Sequence, residues 1–192
     1  MDVLGEHEEF SAFRNLLASS ELTETRHVVG KDMHACASTN ITTFNTFRYT
    51  VYVPTNEAIE QLQASGKLPT WEQVDAATET EVKDSLAHEI ETFIKYHIQD
   101  NGFYIGQGDE HGEYETSAYK LDGDNLSYYK LNTTVTNDGI TVIDGKGHKI
   151  QVDTSNPELY NITCREYQYD NATASRASKI YTSSHAVVHR IN

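Results

Sequence analysis

Apolar positions follow a helical period through the first half of the chain and strand alternation through the second. Phe10, Phe13, Leu16 and Leu17 fall on one helical face between acidic residues and Ser19-Ser20, so residues 6–19 predict an amphipathic helix. Its apolar stripe belongs to a core rather than to a partner groove. Residues 30–45 have no apolar pattern, and Lys31, Asp32, Ser38, Thr39, Asn40 and Asn45 mark a polar surface loop or insertion.

Val51 and Val53 alternate with Thr50 and Tyr52 at strand period until Pro54, which has no N–H to give a ladder. Thr55 or Asn56 then caps a helix over residues 56–64 that Gly66 ends. Thr70 and Gln73 match a capping box, ahead of a short apolar face from Trp71, Val74 and Ala77. Val82, Leu86, Ile90, Phe93, Ile94 and His97 form the stripe of a longer helix, so residues 55–97 predict a helical layer after one strand.

From Phe103 onward tyrosine, threonine and valine dominate. Turn signals recur at residues 106–112, Asp122-Gly123, Asn137-Asp138-Gly139 and Asp144-Gly145-Lys146-Gly147. They predict a meander over residues 127–135, 140–143 and 148–152, with later strands over 159–163, 180–182 and 186–191. On the last strand Val187, His189 and Ile191 share one face, and Val188 and Arg190 the other. No repeat, low-complexity segment or linker divides the chain, and 192 residues fit one domain, 1–192. That length buries about 70% of the surface the unfolded chain exposes.

Three of these segments, in order, resemble the signatures of the fasciclin domain family. Thr50, Pro54, Thr55 and Asn56 stand in a passage of the type Thr-Val-aromatic-Val-Pro-Thr-Asn, followed by Glu57-Ala58. Tyr96-His97 stands where the family closes its helical section with a Tyr-His pair. Ala186-Val187-Val188-His189-Arg190-Ile191 is similar to the family's closing Gly-Val-Val-His-x-Ile strand, with alanine in place of glycine. The resemblance covers roughly residues 6–192. It implies an α+β fold: a β-sandwich or wedge with a layer of helices formed mainly by the N-terminal half.

The resemblance also implies an adhesive or binding module and not an enzyme. The chain looks most like bacterial exported or surface-lipoprotein members, which implies an extracellular or cell-surface location with any lipid anchor outside this chain. Some animal members bind integrins through an aspartate-isoleucine pair before the last signature. Ser178-Lys179-Ile180-Tyr181 carries no aspartate there, which argues against integrin recognition. Tyr96, His97 and His189 read as buried hydrogen-bonding groups that rivet helix to sheet.

Charge narrows the partners. Lys and Arg number 15 against 29 Asp and Glu, a net charge of −14 that repels phosphate backbones and excludes nucleic acid as a partner. The acidity suits the solvated surface of an exported protein; the alternative is a surface that holds cations or meets a basic partner. No run of about 18 apolar residues marks a membrane span. Met1-Asp2-Val3-Leu4-Gly5-Glu6 has neither the basic start nor the apolar run of a secretory signal. Cys36 and Cys164 are too few and too far apart for a Cys-x-x-Cys site, and they are either a disulfide or two buried thiols. A bridge would close a long loop and contribute about 4–5 kcal/mol.

Catalytic patterns are missing: no nucleophile elbow, phosphate loop or dinucleotide fingerprint occurs. His185 and His189 have a helical ligand spacing, but a strand would hold them about 13 Å apart. Asp122-Gly123-Asp124-Asn125 shares the opening of a calcium loop without its later ligands and reads as a turn. Asp109, Glu110, His111, Glu113 and Glu115 gather hard oxygen ligands on a predicted loop, a solvated face by default and a metal-dependent hydrolase site in the enzymatic alternative. No metal or cofactor is expected. Asn40, Asn125, Asn132, Asn161 and Asn171 head glycosylation sequons and read as products of an Asn/Thr-rich surface.

The chain is therefore expected to be a non-catalytic cell-surface adhesion or binding module for a protein or glycan. The alternative is an accessory structural component of a bacterial nutrient-uptake assembly. Because the signatures belong to the core, specificity is expected in loops over residues 30–45 and 106–117. The binding candidates are Tyr104, Glu113, Tyr114 and Tyr119.

Overall fold

A computed structural model describes residues 2–20, 22–27, 37–41, 49–163, 166–167, 180–181 and 186–191. The N-terminal amphipathic segment breaks into α1 (Asp2–Glu6), a 3₁₀ turn (Glu8–Phe10) and α2 (Ser11–Ala18). The break falls at His7, whose backbone is extended at φ −122°. Phe10, Phe13, Leu16 and Leu17 are all buried. Next come β1 (Thr23–His27) and β2 (Ala37–Ile41), an antiparallel pair. Part of the loop expected over residues 30–45 is thus a strand, as β-branched Thr39 and Ile41 favour. The rest of that loop, with Cys36, lies outside the described residues, as does Cys164.

The expected strand and helical layer form as β3 (Tyr49–Pro54), α3 (Asn56–Ala64), α4 (Trp71–Ala76) and α5 (Thr80–Tyr96). The Thr55 hydroxyl accepts from the Ala58 N–H at 3.2 Å and caps α3. Gly66 ends that helix at φ 70°, where the N–H groups of Gly66 and Lys67 reach back to the carbonyls of Gln63 and Leu62 at 3.0 and 2.9 Å. Both bonds of the Thr70–Gln73 capping box form at the start of α4. Along α5, Ile90 and Ile94 are fully buried, but Val82 is 50% exposed. The stripe runs past the core there, because residues 79–85 are all exposed.

The later strands are β4 (Ile98–Asp100), β5 (Glu110–Asp122), β6 (Asn125–Val135), β7 (Ile140–Ile143), β8 (Lys149–Gln151), β9 (Glu166–Tyr167), β10 (Ile180–Tyr181) and β11 (Ala186–Ile191). Seven make one mixed sheet in the order β11-β3-β4-β5-β6-β7-β8, with β11–β3 its parallel pair. Its two ends meet. Val152 bridges Ile191, and the Asp153 N–H donates to the Arg190 carbonyl at 2.9 Å. The α+β class stands, but these strands curl into a nearly closed barrel where a sandwich or wedge was expected. Barrel closure satisfies edges that an open sheet would leave bare. The strand expected over residues 159–163 is a 3₁₀ turn (Pro157–Leu159) followed by an isolated bridge from Ile162 to Val188. Pro157 supplies no N–H for a ladder, and the Asn156 side chain accepts from the Glu158 N–H at 3.0 Å.

Strand alternation divides the interior into two cores. On β3, Val51 and Val53 pack against Phe10, Phe13, Ile59, Ile90 and Ile94 under the helices. Tyr52, between them, joins Phe103, Leu131, Val135, Ile140 and Ile191 in the barrel. On β11, Val188 belongs to the first core and Ile191 to the second.

Candidate functional site

The signature residues lie where two or more elements meet. The Thr50 hydroxyl donates to the Asn101 carbonyl at 2.8 Å and accepts from the Phe103 N–H at 2.9 Å. Pro54 ends β3 opposite Ile191. Asn56, next to the capping Thr55, serves the neighbouring helix instead of its own. Its side-chain oxygen accepts from the Ala12 N–H at 2.9 Å, and its amide donates to the Glu8 carbonyl at 2.9 Å and to Ser11 Oγ at 3.0 Å. One side chain thereby ties the start of α3 to the start of α2.

His97 Nδ1–H donates to the Phe93 carbonyl at 2.7 Å, and its ring lies 4.4 Å from that of Phe93 and 6.0 Å from that of Phe13. Its own carbonyl accepts from the Tyr52 N–H at 2.9 Å. Burial lowers the pKa of His97, against the opposing pull of the Phe93 carbonyl. The Tyr96 ring meets that of Tyr129 edge-on at 5.9 Å, and burial is the main cause of its raised pKa.

His189 is fully buried. Its Nε2–H donates to the Phe103 carbonyl at 2.8 Å while Nδ1 accepts from the Asn161 N–H at 3.2 Å, which fixes a neutral imidazole. Burial takes its pKa down to about 4, although the Phe103 bond favours the charged ring. Asn161 holds a left-handed backbone at φ 54°, and its side chain brackets both backbone groups of Ile105 at 2.9 and 3.0 Å. That sequon amide is committed within the fold. Behind His189, the Tyr52 hydroxyl donates to Gln99 Oε1 at 2.8 Å, and Gln99 Nε2 donates to Thr133 Oγ1 at 2.7 Å. These polar groups are satisfied by one another in the barrel core.

The binding candidates lie differently from expectation. The loop expected over residues 106–117 becomes strand at Glu110. Glu110, Gly112 and Tyr114 then share one face of β5, and His111, Glu113 and Glu115 the other, so the acidic residues diverge. Among the described residues no three His, Cys, Asp or Glu side chains are grouped to hold a metal ion. The sequence hid this strand because its polar residues face water and its apolar content is low.

Tyr104 and Tyr114 are linked by a chain of hydrogen bonds. The Tyr104 N–H donates to Gln107 Oε1 at 3.0 Å, Gln107 Nε2 to Glu110 Oε2 at 3.0 Å, and the Tyr114 hydroxyl to Glu110 Oε1 at 2.7 Å. The Tyr114 ring folds back over Gly112 to reach Glu110. A Cβ at residue 112 would stand 3.0 Å from its Cζ and hydroxyl oxygen. The Glu110 hydrogen bond is the largest cause of a Tyr114 pKa pushed up to about 12. Glu113 lies opposite Asn132, away from this group.

Tyr119 lies farther along β5, beyond an irregularity where the register slips between Glu115 and Tyr119. Thr116, Ser117 and Ala118 are buried there, and the Thr116 hydroxyl donates to the Tyr129 carbonyl at 3.0 Å. Past this bulge β5 and β6 continue as a ribbon, with Tyr119 opposite Tyr128 and Leu121 opposite Leu126. Gly123-Asp124 turns the chain, with Gly123 at the positive φ of 60° that a primed hairpin turn needs. Leu121 is 66% exposed, Leu126 50% and Tyr119 36%; Lys95 Nζ sits 5.3 Å above the Tyr119 ring.

Sequence reasoning missed Leu121, Leu126 and Tyr128. Their signal was available: leucines and tyrosines placed symmetrically about Gly123-Asp124. No described strand other than β5 and β6 pairs with the ribbon, since β4 meets β5 at Thr116 and β7 reaches β6 only as far as Asn132.

None of the curated proteins matches the chain. The fasciclin domain model matches residues 8–192, which takes in all three signatures: the chain belongs to the fasciclin domain family.

Proposed function

We propose that this chain is a non-catalytic cell-surface module that recognises a protein or glycan, and that the outer β5–β6 ribbon is its recognition surface. Fasciclin domains are in general adhesion or binding modules found outside the cell or at its surface. The observation that carries the placement is the apolar group Tyr119, Leu121, Leu126 and Tyr128 on one face of a two-stranded extension. Exposed apolar side chains gathered in one place mark interaction sites more often than scattered ones do. Tyr104 and Tyr114 lie nearer the base of the same hairpin, with Glu113 on its outer face as a polar contact.

Neither a role in a nutrient-uptake assembly nor hydrolysis through the acidic stretch has an observation in its favour. The test is capture of glycans on an array and of surface proteins by the immobilised chain, repeated with Leu121→Ser/Leu126→Ser. The double variant should melt within a degree or two of the parent, as surface changes do, and lose most capture. Capture undiminished in a folded double variant would overturn the ribbon as the recognition surface.

A further inference from the structure

The ribbon has a second property besides its apolar face. In an antiparallel hairpin with a two-residue turn, the flanking residues Asp122 and Asn125 form a hydrogen-bonded pair, and alternate residues thereafter point their backbone groups to opposite sides. Asn125, Ser127 and Tyr129 therefore address β5; Leu126, Tyr128 and Lys130 address the outside. Two observations fit this parity. The Tyr129 carbonyl accepts from Thr116 on β5, and β7 runs beside the same edge of β6 farther on, pairing with Asn132 through Val135.

β7 stops at Ile143, opposite Asn132, and Asp144 turns the chain away by accepting from the N–H groups of Lys146 and His148, each at 2.8 Å. The edge of β6 from Asn125 to Leu131 is left with no described strand beside it. At a strand rise of roughly 3.3 Å per residue it is about 23 Å long. Edges of this length are usually blunted by proline, lysine or a bulge. Here the bulge lies on β5, and this stretch of β6 carries one lysine and no proline.

We infer that this edge of β6 accepts an extended, basic segment of a partner protein as an added strand, antiparallel to β6 and in line with β7. The inference rests on the ribbon being the recognition surface and specifies its partner. Charge selects the occupant. A second copy would bring −14 against −14, whereas the same net charge favours a cationic strand. Backbone groups of Leu126, Tyr128 and Lys130 supply the ladder. Alternate side chains of the added strand lie beside Leu126 and Tyr128, so the matching segment alternates apolar with basic residues.

The test is titration of the isotopically labelled chain with a synthetic peptide of about eight alternating valines and lysines, long enough to span the edge. Amide resonances of Leu126 to Lys130 should shift. N-methylation of the alternate peptide N–H groups that face β6 should weaken binding by about tenfold or more, and so should exchange of every lysine for glutamate. Shifts confined to another surface, equal binding of the N-methylated peptide, or no binding at millimolar peptide would overturn strand addition. Because the blocking group is on the peptide, the result does not depend on a variant folding. The two ideas also separate: if capture falls in Leu121→Ser/Leu126→Ser while N-methylation has no effect, the ribbon remains the recognition surface and strand addition is wrong.

Discussion

A glycine inside a strand loses conformational entropy and packs nothing, yet Gly112 gives the Tyr114 ring a place to lie. Gly112→Ala should push that ring off and break its bond to Glu110, since a Cβ would meet the ring at 3.0 Å. The phenol should then titrate back toward the ordinary tyrosine value of 10.0, instead of about 12, in an ultraviolet pH titration referenced to Tyr114→Phe. An unchanged titration would show that Glu110 is not the cause. His189 sets a second residue-scale outcome. Its folded pKa of about 4 lies below its unfolded value of 6.5, so between those limits the unfolded chain binds the extra proton. Its contribution is complete above 6.5 and is lost as pH falls to about 4, a difference of roughly 3 kcal/mol. His97 shifts in the same direction and adds to the loss. His189→Phe should flatten the fall in melting temperature over that range while lowering stability at neutral pH, because the Phe103 carbonyl loses its donor.

Elements whose ends are set by local chemistry were legible. Thr70 and Gln73 announced α4 three residues apart, and Thr55 and Gly66 bounded α3. Thr70→Ala should therefore cost about 1 kcal/mol, read as a shift in the chemical-denaturation midpoint with an unchanged slope. β5 was not legible, because its polar residues gain their place from pairing with β6 and not from their own pattern. The same blindness applied to the candidate site. Tyr119 was named and Tyr128 was not, although they stand opposite each other, because their pairing follows from counting outward from the two-residue turn at Gly123-Asp124 and not from either residue's own pattern. Val82 failed for a different reason: its helical phase was right, but the first turns of α5 extend beyond the core.

At the scale of the molecule, closure of the barrel depends on one seam. Arg190 and Asp153 form an ion pair across it beside the Val152–Ile191 bridge, and Arg190 also donates to Ser155 Oγ at 3.2 Å. Hydrogen bonds from Ser155 are the largest cause of the lowered Asp153 pKa, and Arg190 adds to them. The carboxylate's contribution is therefore present above its unfolded value of 3.8 and is lost as pH falls below it, beyond the histidine range. Arg190→Ala should loosen the seam, at a cost of about 2–4 kcal/mol for a half-removed pair. Amide exchange should quicken first in β8 and β11, and exchange quickening evenly over the sheet would count against a local seam. No sequence period reports this closure, since Val152 and Ile191 are joined only through the completed sheet.

The parallel pairing of β11 with β3 also sets a timetable. Strand β3 is made well before its partner and waits beside an empty position until Ala186–Ile191 leave the ribosome. Until then the first signature has an open flank and the barrel has no second wall to its seam. A chain stalled before Ala186 should remain sensitive to protease throughout its sheet, and resistance should appear in a single step once the last strand is free. Synthesis of the first signature and completion of its sheet are thus separated in time.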